Sequence, residues 1–149
     1  MIAEETDFER KLNEATAGLQ SYIGDHLLER ISRTNASIIV DYVLALKSEV
    51  NPSDYYRQTV ISNLKHLSEF HKNVKSFKEM TREDIIFFLD TLRKKDWEDE
   101  LHHWIGTYNH NVITINRFFK WLYDPLAEPN QRQKPPVIQK LHLQKNLIK

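Results

Sequence analysis

The stretch Trp104–Tyr123, WIGTYNHNVITINRFFKWLY, repeats its apolar residues at Trp104, Tyr108, Val112, Ile115, Phe119 and Leu122. These steps of four, four, three, four and three residues trace one face of an α-helix. At about 100° per residue, Leu101, Ile105 and Phe118 join the same stripe. The other side collects His102, His103, Gly106, His110, Ile113, Arg117 and Lys120. One side can fill a core. The other lines up cations and imidazoles with few carboxylates to neutralise them. Such a face either lies against a phosphate backbone or is simply solvated.

Working outward, the same periodicity predicts further helices. Residues 5–23 carry Phe8, Leu12, Ala15, Leu19 and Tyr22 on one stripe, weakened by Gly18 and Gly24. His26–Arg33 reads as a connector. Asn35 is a suitable N-cap for a helix over 36–49, with Ile38, Ile39, Tyr42, Ala45 and Leu46 inward and enough further apolar surface to pack on two sides. Asn51-Pro52 signals the next start, with Asn51 able to cap and Pro52 suited to the first helical position, followed by Tyr56, Val60, Leu64, Leu67 and Phe70, with Gln58, Ser62, Lys65 and Glu69 outward. That helix should end near His71, before a polar loop, Lys72–Met80. Thr81-Arg82-Glu83-Asp84 has the form of a capping box ahead of Ile85, Phe88, Leu89 and Leu92, and Lys94-Lys95 should close the helix. Trp97–Glu100 is an acidic connector to the central helix, 101–123. Asp124-Pro125 stops that helix. Beyond it, Pro125, Pro129, Pro135 and Pro136 interrupt a polar segment, and the final VIQKLHLQKNLIK is compatible with a helical turn or a strand.

The composition is globular: 40% hydrophobic and 28% charged in 149 residues, enough for one domain with its own core. With only three glycines, a glycine-rich nucleotide loop is out of reach. The absence of cysteine removes disulfides and thiolate metal ligands and suits a reducing cytoplasm. No apolar run approaches the roughly 20 residues that cross a bilayer, and the acidic start lacks a signal-peptide core. Net charge is zero but unevenly spread. Residues 1–50 hold five cations and nine acids, residues 51–100 nine and ten, and residues 101–149 seven and two. A local positive surface binds phosphate even in a neutral protein, because screening limits each charge to about 8–10 Å. A basic tail without a partner gives the same totals.

Catalytic signatures are missing. There is no G-x-S-x-G, no phosphate loop and no H-E-x-x-H. Among the seven histidines, His103 and His110 can share a face, but no acid or cysteine completes a ligand set, so no metal is expected. The aromatics of the central helix sit mostly on its apolar stripe and are better read as core than as base-stacking platforms. Trp121 points sideways from that stripe.

In order, N-P-S-D-Y-Y-R-Q-T-V-I-S-N-L-K-H-L-S-E-F, M-T-R-E-D-I-I-F-F-L-D-T-L and Y-N-H-N-V-I-T-I-N-R-F-F-K-W-L-Y resemble the core-binding domain of tyrosine recombinases, of the archaeal integrase type. The resemblance covers about residues 30–145 and is strongest at Thr81–Leu89 and Arg117–Leu122. It implies an all-α, SAM-like orthogonal bundle of four to five helices with a C-terminal Pro-rich linker. The division would be an N-terminal helix and connector over 1–33, the helical domain over 34–124, and a linker over 125–149 leading to a catalytic domain. It also implies a clamp on double-stranded DNA, in the cytoplasm at the nucleoid, without cofactor or membrane, with that catalytic domain as partner and a homo-oligomer on DNA. The family's catalytic arginine, lysine, His-x-x-Arg pair, further His or Trp, and nucleophilic tyrosine belong to the second domain. This sequence has no His-x-x-Arg, so the chain is not expected to be an enzyme by itself. By helical phase the candidate DNA contacts are Gln58, Lys65, His110, Asn111, Thr114, Arg117 and Lys120, with Arg132 and Lys134 on the linker. A helical protein-interaction module without DNA contact is the alternative.

Overall fold

The computed structural model describes residues 2–145, with side chains from Asp7 onward. Among them are six α-helices, three 3-10 turns and no strand. They fall into two compact units, residues 1–79 and 80–149.

The first unit holds α1 (Ile2–Thr16), α2 (Ser21–Glu29), α3 (Arg33–Glu49), α4 (Asp54–Phe70) and a 3-10 turn, Phe77–Glu79. The single helix expected over 5–23 is two helices. Gly18 takes φ +85°, a left-handed conformation that an L side chain adopts only under strain. Its Cβ position faces the Asp54 carboxylate at 3.2 Å. The C-terminal carbonyls around this break are held from α4. The buried Arg57 guanidinium donates to the carbonyls of Ala15 and Ala17, both at 2.7 Å, and pairs with Asp54. The first half of the expected connector, His26–Glu29, belongs to α2, whose Ile23 and Leu27 are buried, and Arg33 begins α3.

The cap of α3 is Ser32, which accepts from the Asn35 N–H at 3.2 Å. Asn35 therefore lies inside the helix and is fully buried. Its amide donates to Ser68 Oγ at 2.9 Å and to the Lys75 carbonyl at 3.0 Å, while its oxygen accepts from the Phe77 N–H at 3.0 Å. This pins the 72–80 loop, where Phe77 is an anchor with no exposed surface. The helix α3 packs against α1, α2 and α4, as its broad apolar surface requires. Ser53, not Asn51, caps α4, accepting from the Tyr56 N–H at 3.1 Å. Asn51 instead adopts φ +47° in the turn before it.

The second unit holds α5 (Arg82–Asp90), α6 (His103–Tyr123) and 3-10 turns at Pro129–Gln131 and Pro136–Ile138. The capping box forms. The Thr81 N–H donates to Asp84 Oδ2 at 2.9 Å and the Asp84 N–H to Thr81 Oγ1 at 3.2 Å. The helix α5 stops at Asp90, short of the expected Lys94-Lys95, where the Thr91 hydroxyl turns back to the Phe88 carbonyl at 2.6 Å. Ile85, Phe88 and Leu89 of α5 are buried, as are Ile105, Tyr108, Val112, Ile115, Phe118 and Phe119 of α6. Leu101 precedes α6 and is 65% exposed. In the segment expected as a linker, Val137, Ile138 and Leu141 are buried, and the Pro136–Ile138 turn packs against α5 and α6. The end of the last basic stretch, Asn146–Lys149, lies outside the described residues.

Candidate nucleic-acid interface

The helix α6 begins without a side-chain cap of its own, since its N-cap His102 sits at φ +56°. Asp99 supplies the missing acceptor, receiving the Trp104 N–H at 2.8 Å. Burial opposes ionisation of Asp99, but the backbone N–H groups of Trp104 and His103, with the two adjacent histidines, outweigh it and hold the carboxyl below its ordinary value. The negative charge at the positive end of the helix dipole favours the helix as well.

The outward side of α6 presents His103, Gly106, Thr107, His110, Ile113 and Arg117 to solvent, with Lys120 half-buried. From His103 to Lys120 this stripe runs about 25 Å at 1.5 Å per residue. The helix contains no Asp or Glu. At Gly106 an added Cβ would meet nothing within 4 Å, so no neighbour in the protein requires a glycine there.

The other side of α6 is tied into its unit. Asn109 makes a two-way amide pair with Gln144, donating to its carbonyl at 2.9 Å and accepting its N–H at 2.7 Å. The Arg93 guanidinium lies over the rings of Tyr108 (4.9 Å) and Trp104 (5.7 Å) and donates to the Tyr108 hydroxyl at 3.3 Å. Helical phase did not single out Arg93, which lies outside the helix that carries the pattern, or Asn109, whose partner Gln144 lies outside it.

Of the sequence-derived contacts, His110, Arg117 and Lys134 are exposed and Lys120 is partly so. Asn111 and Thr114 are corrected from outward to buried positions, 5% and 4% exposed. The buried sector of α6 is wide enough to include them, and the Asn111 amide donates to the Thr107 carbonyl at 2.9 Å. Arg132 ties the turn after α6, donating to the carbonyls of Asp124 at 3.0 Å and Pro125 at 3.1 Å. In the first unit, Gln58 donates to the Tyr22 hydroxyl at 3.3 Å. Lys65, expected outward, is 8% exposed and rests against His26. Phe118 and Phe119 are core residues, and Trp121 lies 6.2 Å from the Phe118 ring.

Among the described residues, no three His, Asp or Glu side chains gather as a metal site, and no helix is long and apolar enough to cross a membrane. Comparisons with protein-family models, with curated proteins and with solved structures return no match for this chain.

Proposed function

We propose that the chain is a helical DNA-binding domain that holds duplex DNA by its phosphates through the outward face of α6, as in the core-binding domain of a tyrosine recombinase. The observation that carries this reading is a 21-residue helix without a single carboxylate, whose exposed stripe holds His103, His110 and Arg117. Lys120 in its last turn and Lys134 beyond it extend the positive surface. Backbone contacts of this kind set register and give little sequence preference. Tight, specific binding then comes from avidity with a catalytic domain and a second protomer.

Contacts from Arg117, Lys120 and Lys134 give a slope of about −2.7 in log K against log salt, or roughly 40-fold weaker binding at 200 mM than at 50 mM. The test is a titration against a 30-base-pair duplex at both salt concentrations, with the R117Q/K120Q double variant alongside. The variant should bind more weakly and lose about 1.8 from the slope. Equal binding by both proteins, or none by the wild type at low salt, overturns the reading. In that event the second reading, a protein-interaction module, gains. It draws on the exposed Phe87, Trp97, Leu101 and Leu126 of the same unit, 58% to 99% accessible.

A further inference from the structure

A second cationic feature lies in the first unit, independent of α6. Between α2 and α4 is a cavity of about 50 Å³ floored by Ile23 and Ile61. Its polar wall is Tyr22, His26, Gln58, Ser62 and Lys65. Lys65 is more than nine-tenths buried, and its ammonium lies 3.2 Å from His26 Nδ1. An ammonium only donates, so Nδ1 must accept, and His26 is a neutral ring with its proton on Nε2. That contact uses one of three N–H groups. Among the described residues, no carboxylate pairs with Lys65. Glu69, one turn along α4, makes no hydrogen bond to it and keeps one carboxylate oxygen buried without a partner. A cation sunk against isoleucine side chains without a directly paired opposite charge is costly, and an anion in the cavity reduces that cost.

We propose that this cavity is a phosphate-group site, with the Lys65 ammonium as counter-charge and the Tyr22 and Ser62 hydroxyls and the Gln58 amide as further donors. Its volume of about 50 Å³ exceeds the roughly 10–15 Å³ needed to admit a single water, so a small ligand group can enter. The Gln58–Tyr22 hydrogen bond, at 3.3 Å, is long and readily exchanged for a ligand oxygen. The donors stand on two helices packed in one unit, so the site does not depend on the role of α6.

The experiment compares thermal melts of the full chain in sodium phosphate and in sodium chloride at matched ionic strength. Phosphate at ten times its Kd should raise Tm by about 3–6 °C over chloride. K65M should lose that rise, and K95M, which changes an exposed lysine of the other unit, should keep it. If K65M does not fold, amide and imidazole NMR shifts of the wild type decide the matter. Saturable shifts must then concentrate at Tyr22, His26, Ser62 and Lys65. No rise beyond chloride, a full rise in K65M, or shifts centred elsewhere each overturns the proposal. A duplex DNA arm identifies the source of the phosphate. Duplex that moves the same resonances and is displaced by excess orthophosphate assigns a nucleic-acid backbone. Duplex that leaves them unmoved while orthophosphate shifts them assigns a free phosphate compound.

Discussion

Asn35 shows how one polar side chain holds a loop on a helical core. It is fully buried, and its amide satisfies Ser68 Oγ, the Lys75 carbonyl and the Phe77 N–H. The network continues through Ser68, which donates to Asn73 Oδ1 at 2.7 Å, and Asn73 donates to the Arg30 carbonyl at 2.8 Å. Asn73 itself stands at φ +61°, a conformation asparagine tolerates better than most residues. Removing the Asn35 amide strands a backbone carbonyl and an N–H in the interior, each costing about 1–3 kcal/mol. N35A should therefore destabilise the chain by about 3–5 kcal/mol in urea unfolding. N35D should be severe too, because a carboxylate cannot donate to Lys75. A loss below about 1 kcal/mol for N35A would show that water replaces the amide. None of this is visible in the local sequence. Ser32-Arg33-Thr34-Asn35 offers more than one residue able to cap a helix, and the partners that draw Asn35 inward lie 33 to 42 residues away.

At the scale of the element, Gly106 separates what stabilises α6 from what its face is for. Mid-helix glycine is worse than alanine by about 0.8–1.0 kcal/mol, and a Cβ at this site meets nothing within 4 Å. G106A should raise stability by about that amount in thermal or urea unfolding. If the stripe lies close to a nucleic-acid backbone, the same variant should bind duplex more weakly despite folding better. Stabilisation with unchanged binding would leave Gly106 outside the contact. The elements themselves were largely legible. The stripes of α3 to α6, the capping box at Thr81–Asp84 and the stop at Asp124-Pro125 are local signals read with local rules. The break between α1 and α2 was not, because Leu19 and Tyr22 continue the phase of Leu12 and Ala15. What fixes the break is Arg57 of α4 holding the carbonyls of Ala15 and Ala17, contacts across 42 and 40 residues of chain. The candidate site was half legible for a similar reason. Phase separates inward from outward only when the width of the buried sector is known, and α6 buries Asn111 and Thr114 beside its apolar stripe.

Across the whole molecule, charge is divided between the units. Residues 1–79 hold ten cations and twelve acids, and residues 80–149 hold eleven and nine. Yet the first unit places Lys65 against His26, and this makes its stability depend on pH. The His26 pKa is lowered, first by burial and then by Lys65 and Arg30, while Glu69 and Asp25 pull weakly the other way. His66 is lowered by desolvation and by the adjacent Lys65. A histidine whose folded pKa lies below its unfolded value of about 6.5 binds fewer protons in the native state than in the unfolded one. Stability therefore rises with pH through the window between those two values and is level above about 6.5. The direction is opposite to that of a histidine held by a carboxylate. The carboxyl of Asp99 is also lowered in the fold, so its contribution is lost only in the separate, acidic range as pH falls through the carboxylate pKa. Melts at pH 7.5, 6.5 and 5.5 should give a Tm that falls below pH 6.5. The H26Q/H66Q variant should flatten that fall, since glutamine stays neutral and its amide oxygen still offers Lys65 an acceptor. An equal fall in wild type and variant would place the proton uptake elsewhere. Lys65 would then be tolerated beside a charged imidazole, with Glu69 and Asp25 as the acids that act on that ring.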